Sequence, residues 1–350
     1  ASTYRSQDIN SYKSIRGIMK KVCMWLLVIV GAVIDQLLLY ASQTAGITLP
    51  FTFLVACIVA IWIICNEIIS ILENIKDMAV YNSRMSAGME DKLFFLPFLK
   101  KSPLLIDYGW ADGTLAKYIK DIYPDAVIYG YDIDESMLEL AKQKLGNNNV
   151  YLSHSRVFEI LKLIKDNALN IFPYTQEYQT HDEILNLSSV IHEVYSYGSK
   201  EDIEEFWKNV FGIGFDKIAI RDMCFATDRE YPFQFESFQE FEEKFMRGIV
   251  ANNLEKLWKD YRKIYSGNIS YQIITHFLMK YHYIENWDRE SKENYFPLSV
   301  DELKRVIPDC YDIVYENSYL LPYIKEYVKN EFDIELDCFT HIKIILKKRE

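Results

Sequence analysis

Cysteine is scarce and scattered, with six in 350 residues, at Cys23, Cys57, Cys65, Cys224, Cys310 and Cys338. No CxxC pair occurs among them, which excludes a disulfide framework or a cysteine zinc site and reads as reduced, buried thiols. The six histidines include no HExxH and no paired metal spacing, so no metal site is expected. Positive charge is in deficit. The net charge of -11 speaks against a dedicated nucleic-acid surface, because phosphate binding draws on clustered Lys and Arg. No DNA-binding motif is present. An initiator Met is also absent, the chain opening on Ala1, as expected of a fragment or a processed product. What remains is globular composition, half apolar and one quarter charged, in a chain long enough for at least two structural units.

Charge vanishes altogether between Asp35 and Glu67. Residues 22–41, VCMWLLVIVGAVIDQLLLYA, carry only Asp35, and 47–65 reads ITLPFTFLVACIVAIWIIC. A hydrocarbon core of about 30 Å needs about 20 apolar helical residues, and both stretches are that long. A secretory signal fits poorly, since no small-residue cleavage pattern separates the pair. A buried helical hairpin of a soluble protein is the competing reading, and length favours the bilayer. Arg16, Lys20 and Lys21 precede the first span while the connecting loop is uncharged, so both ends of the hairpin are expected on the cytoplasmic side. Asp35 within the span is costly unless it meets a partner or water, which favours self-association of the hairpin.

The stretch from RGIMKKVCMWLLVIVGAVIDQLLLY through LPFTFLVACIVAIWIICNEIISILENIKDM resembles the later part of phage holins of the toxin-secretion/lysis type. The resemblance covers about residues 15–80 and implies a bacterial or phage-encoded chain held in a membrane. Residues 1–80 are thus expected as a holin-like membrane hairpin. Residues 81–92, small and polar, are expected as a linker, and 93–350 as a second domain.

That domain opens with the apolar run Leu104-Leu105-Ile106, followed by Asp107-Tyr108-Gly109-Trp110-Ala111-Asp112-Gly113 and a helical pattern over Thr114–Ile122. Strand, glycine turn and helix bring backbone close to a ligand at a helix N-terminus. A second strand, Ala126–Tyr131, ends in Asp132, where a carboxylate is placed to accept two ribose hydroxyls or else merely caps the next helix. Asp134 is expected to cap the helix Glu135–Leu145.

LLIDYGWADGTL and VIYGYDIDESMLELAKQKL together resemble the first two motifs of class I S-adenosylmethionine-dependent methyltransferases. The resemblance implies a Rossmann-like α/β sheet of seven strands with the last antiparallel, and S-adenosylmethionine as cofactor. It implies that Asp107, Gly109 and Gly113 line the methionine part, with Ala111 in place of the middle glycine. Asp132 would bind the ribose, and Ile133, Ser153 and Ser189 would complete the cofactor site. A dinucleotide-binding dehydrogenase is the competing reading. It would need a third glycine for the pyrophosphate, which Asp112 would repel.

Further strands are expected at Val150–Leu152, Glu183–Leu187 and Lys217–Ile220, with an antiparallel pair at Tyr311–Tyr319 and Thr340–Lys347. Ser299 and Glu302 form a capping-box pattern before a helix Val300–Val306. Residues 223–298 are expected as a helical insert, crowded with aromatics from Phe233 to Trp287, most of them core and some lining a substrate lid.

Methyl transfer is a displacement in which the protein orients the reactants and, where needed, removes a proton. His192, after the fourth strand, is the candidate general base, with Glu193 to orient or assist it; packing or capping at the helix start is the plainer role for the histidine. Arg221 and Asp222 are further candidates for substrate contact. The Asn/Asp-Pro-Pro-aromatic motif of base-amino methyltransferases is absent, as is a Pro-Cys nucleophile, leaving a small molecule, the favoured acceptor, or an unusual macromolecular site. The expected function is methyl transfer at the cytoplasmic face of a membrane. The alternatives are a holin-like pore or scaffold, or a cofactor-binding sensor without catalysis. The hairpin has a direct check: a reporter cysteine at Ser42 should react with an impermeant reagent in intact cells and one at Ser86 should not. Equal protection of both would overturn the two-span reading.

Overall fold

The computed structural model describes residues 88–145, 150–153, 182–225 and 238–349, together with Gln36, Tyr40, Val59, Trp62, Ile63, Phe158 and Lys162. Two compact units divide the chain, Ala1–Tyr81 and Asn82–Glu350. In the first unit the isolated described residues are helical, and Tyr40, Val59, Trp62 and Ile63 expose their side chains. Among the described residues no helix is long and apolar enough to cross a membrane. The expected spans 22–41 and 47–66 otherwise lie outside the described residues, as do Asp35 and Glu67.

The second unit is built on a sheet of β1 (Pro103–Tyr108), β2 (Val127–Tyr131), β3 (Val150–Ser153), β4 (Asp182–Ser188), β5 (Lys217–Met223), β6 (Tyr311–Tyr319) and β7 (His341–Lys348). Their order is β3-β2-β1-β4-β5-β7-β6. The first five run parallel, while β7 is antiparallel to both β5 and β6. The helices are α1 (Met89–Lys92), α2 (Thr114–Ile122), α3 (Glu135–Leu145), α4 (Ile191–Tyr197), α5 (Lys200–Gly212), α6 (Phe238–Ala251), α7 (Glu255–Ile264), α8 (Tyr271–Lys280), α9 (Trp287–Glu290), α10 (Val300–Arg305) and α11 (Pro322–Phe332).

Successive strand residues face opposite sides, so each strand feeds two cores. Leu105, Ile128, Ile184 and Ala219 meet Leu115 and Ile119 of α2 and Leu138 and Ala141 of α3 on one face. Leu104, Ile106, Leu185, Ile218 and Ile220 meet Phe206, Trp207 and Val210 of α5 and Leu303 of α10 on the other. A strand buried on both faces is apolar along most of its length, which is why the parallel strands read as apolar runs, with most of their buried polar residues gathered toward their carboxyl ends. The capping box of Ser199 and Asp202 opens α5, and that of Ser299 and Glu302 opens α10.

The insert forms a third core of its own. Phe241, Phe245, Trp258, Tyr261, Tyr271, Phe277 and Tyr281 are buried together with Tyr327, Val328 and Phe332 of α11. These expected aromatics are therefore packing residues; Phe233 and Phe235 lie outside the described residues. The expected linker is corrected at its end. Residues 89–92 form α1, and Asp91 is tied to Arg221 of β5 at 2.7 Å and to the Tyr319 hydroxyl at 2.6 Å. Likewise β5 extends to Met223, so Arg221 and Asp222 sit within the strand and not after it.

Gly130 in β2 makes room for the buried indole of Trp110: an added Cβ would lie 2.1 Å from that ring. Gly130→Ala should therefore cost about 1–3 kcal/mol through overpacking. Urea denaturation of the full chain reads this directly. The loss should shrink in a Trp110→Leu background, and an equal loss there would show that the indole is not the cause.

Candidate active site

With β1 flanked by β2 on one side and β4 on the other, the chain direction of winding reverses between β1 and β4. In such sheets the crevice beyond the strand ends at this switch point is open to ligand. The turn after β1 lies there. Gly109 and Gly113 have φ of 78° and 74°, and Cβ atoms on them would crowd Val190 at 2.8 Å and Ala141 at 3.0 Å. Ala111 takes the left-handed region too, at φ 52°, a conformation costing an alanine about 1–2 kcal/mol. The substitution for glycine is thus accommodated as strain.

The turn is pinned to the end of β2. The Gly109 and Trp110 amides donate to the Tyr131 carbonyl at 2.8 and 3.1 Å. The Ala111 amide donates to Asp132 Oδ2 at 2.8 Å, and the Asp134 amide to Asp132 Oδ1 at 2.9 Å. Asp132 is half-buried, and each oxygen keeps a lone pair beyond these bonds. Ile133 beside it is 81% exposed. Asp112 turns away to cap α2 through Thr114 and to pair with Lys144 at 2.6 Å. Its carboxylate stands where a pyrophosphate would approach the helix, which disfavours the dehydrogenase reading.

Asp107 is buried at the end of β1 and accepts from Asn186 Nδ2 at 2.7 Å. Burial pushes its pKa up to about 6, against the opposing pull of Asn186 and Lys92. Asn186 Oδ1 and Ser188 Oγ, both on β4, are buried without a hydrogen-bond partner among the described residues. Lys92 of α1 completes this end. Burial, then the charge of Arg221, brings its pKa down to about 8. Sequence reasoning missed Asn186, Ser188 and Lys92, which carry no local motif. Ser189 has φ 60° and accepts from Arg221 Nη1 at 2.8 Å. Ser153 ends β3, and its side chain lies outside the described residues.

His192 and Glu193 begin α4, beyond the end of β4. Asp222 Oδ2 accepts from the Val190 and Ile191 amides at 2.9 and 2.7 Å, and its Oδ1 lies 2.7 Å from His192 Nδ1. Nε2 of the same ring faces Glu293 Oε2 at 3.7 Å. Burial pulls the histidine down, but Asp222, Glu293 and Glu193 outweigh it and carry the pKa up to about 10. In this arrangement the ring holds its proton at neutral pH and has no lone pair to accept another. Glu193 is pushed up by burial, with Asp132 among the charges that add to the rise. Arg289 bridges Glu193 at 2.7 Å and Glu293 at 2.8 Å. Among the described residues, His192, Glu193 and Glu293 could share a metal ion.

Residues 1–86 match the model of the bacteriophage holin family, which includes the segment that resembles holins. No curated protein matches the sequence. Among solved structures the chain is similar to a SAM-dependent methyltransferase of Anabaena variabilis, at 14% identity over 74% of this chain and 82% of that one, TM-score 0.40. It is similar to the plantazolicin methyltransferase BpumL at 12% identity over 79% and 90%, TM-score 0.38. A third similar structure is a putative O-methyltransferase of Nostoc punctiforme, at 12% over 75% and 58%, TM-score 0.39.

The buried carboxyl of Asp107 sets a stability test. A carboxyl raised in the folded state binds its proton more tightly there than when unfolded. The contribution of this one group to stability therefore falls as pH climbs from about 4 to above 6. Asp107→Asn removes the buried charge and should raise the thermal midpoint at pH 8, with the gain fading by pH 4. A variant less stable than the parent at pH 8 would overturn the assignment.

Proposed function

We infer that the second unit binds S-adenosylmethionine and transfers its methyl group to an acceptor. S-adenosylmethionine supplies an electrophilic methyl on a sulfonium, beside an α-ammonium, an α-carboxylate, two ribose hydroxyls and an adenine. The observation that carries the reading is the cluster of buried polar groups at the ends of β1 and β4, two of whose atoms have no partner among the described residues. Asp107 with the orphaned Asn186 Oδ1 and Ser188 Oγ offers acceptors to an ammonium, and the cation of Lys92 complements a carboxylate. Asp132 has lone pairs for two hydroxyls, and Ile133 offers apolar surface to a base. Gly109 and Gly113 let the backbone approach where a Cβ would not fit.

On this reading His192 and Glu193 face the acceptor, and Glu193, half-buried with a raised pKa, is the better placed of the two to take a proton at neutral pH. A small molecule remains the favoured acceptor, and membrane tethering through residues 22–66 is part of the same proposal. The holin match favours a second reading, in which the cofactor is bound but not consumed and the chain acts as a membrane scaffold. Release of S-adenosylhomocysteine over time separates the two.

Calorimetric titration of the full chain with S-adenosylhomocysteine tests the site itself. Asp132→Ala should weaken binding by about 1.5–3 kcal/mol, the scale of charge-assisted hydrogen bonds. Affinity should also fall roughly tenfold per unit below about pH 6, as Asp107 takes a proton and ceases to attract an ammonium. Unchanged affinity in the variant would sink the assignment of Asp132.

A further inference from the structure

We propose that His192, Glu193 and Glu293 form a divalent-cation site that binds an oxygen of the methyl acceptor. The identity of that acceptor rests on the methyl-transfer reading, whereas the cation site does not. Among the described residues these three place one ligand atom each within 4.8 Å of one another. They come from distant parts of the chain, His192 and Glu193 from the start of α4 and Glu293 from the loop after α9.

Three features set the cluster apart from a chance gathering of acids. The first is the orientation of the imidazole. Its Nδ1 lies 2.7 Å from the buried Asp222, whose position is itself fixed by the Val190, Ile191 and Met223 amides. A histidine that ligates a metal nearly always gives its other ring N–H to a carboxylate, a backbone carbonyl or a water, and Asp222 is of the first kind. The second is spacing. Nε2 and Glu293 Oε2 stand 3.7 Å apart, beyond a hydrogen bond and close to the separation of roughly 3 Å that two ligands take around one small cation. The third is composition. Two carboxylates and an imidazole nitrogen converge, and the Nε2 proton leaves as a cation takes its place.

Arg289 is the competitor. Its guanidinium holds both glutamates, yet its side chain is 44% exposed and can swing into solvent, while Glu293 is 3% exposed and cannot. A dication is the stronger partner for two carboxylates and an imidazole, and it would sit where Nε2 now faces Glu293. One nitrogen and two carboxylates with open positions suit a divalent first-row ion, and Mn2+ is the probe because its paramagnetism reports binding directly. A cation there lowers the pKa of a bound hydroxyl, so the acceptor class it fits is an alcohol or phenol.

Titration of the metal-stripped full chain with Mn2+, followed by electron paramagnetic resonance and calorimetry, tests the site without reference to turnover. One Mn2+ should bind per chain. Glu193→Gln, on a half-exposed side chain, should weaken binding at least tenfold, and Asp222→Asn about 10–100-fold. Arg289→Ala should tighten it by removing the competing cation. No Mn2+ bound at millimolar concentration, or affinity unmoved by Glu193→Gln, overturns the proposal. Titration with S-adenosylhomocysteine in chelator runs alongside. If it binds where Mn2+ does not, the cation site alone fails, and the reverse result sinks only the methyl-transfer reading.

Discussion

The buried carboxylate of Asp222 is the interaction on which the site depends. It lies within β5, two strands from β1, and reaches across to the turn after β4. There it accepts the Val190 and Ile191 amides, donors that the first turn of a helix leaves without partners, and it meets His192 Nδ1. One side chain thus fixes where α4 starts and which way the imidazole points. Val190 is held by the same bonds, and Val190 is the residue that a Cβ on Gly109 would strike at 2.8 Å. The cradle after β1 and the histidine after β4 are therefore set by a common anchor. Leaving so many donors unmatched would cost several kcal/mol, which explains why an acid sits where the strand pattern alone would accept an apolar residue.

The insert completes this edge by delivering Glu293, and it does so through buried polar contacts more than through the loop's own propensity. Lys280, at the end of α8, is fully buried and donates to the carbonyls of Glu290 and Glu293, with its ammonium 3.8 Å from the Tyr295 ring centroid. His276, one turn earlier, accepts the Tyr295 amide on Nε2 at 2.9 Å while its Nδ1 meets the Tyr261 hydroxyl at 2.7 Å. Burial holds His276 well below the usual histidine range, so it serves as a neutral acceptor. These bonds clamp residues 290–295 against α8. The aromatic core of the insert is then the scaffold that keeps a buried carboxylate opposite His192.

The elements legible in the sequence are those whose signals are local. Apolar runs of strand length, closed by Asp107, Asp132 and Ser188, gave β1, β2 and β4, and Thr114–Ile122 and Glu135–Leu145 appear with the expected bounds. Ser299 and Glu302 cap as their spacing predicts. The helix Pro322–Phe332 also had a readable signal, a proline at its first turn and apolar residues at 324, 327, 328 and 332. Other parts had none. Asp91 lies in a polar stretch that reads as linker, because its partner Arg221 is 130 residues away. Asn186 finds Asp107 across 79 residues, and Arg289 finds Glu193 across 96. No periodicity or spacing records such pairs; only the strand order creates them.

Backbone strain in the second unit gathers where two strands end. Four described residues other than glycine have positive φ: Ala111, Ser189, Asn253 and Asp333. Asn253 and Asp333 follow helices, where asparagine and aspartate adopt that region at little cost. Ala111 and Ser189 have no such excuse, and both lie on loops that leave the carboxyl ends of β1 and β4. The orphaned Asn186 Oδ1 and Ser188 Oγ and the elevated carboxyl of Asp107 occupy the same edge. Packing alone would favour removing each of these, since an apolar substitute or a glycine is more stable in its place. Strain and unmet hydrogen bonding persist where a ligand restores what the empty fold lacks. At this edge the unmet polar atoms and the two strained loops fall together, at the carboxyl ends of neighbouring strands.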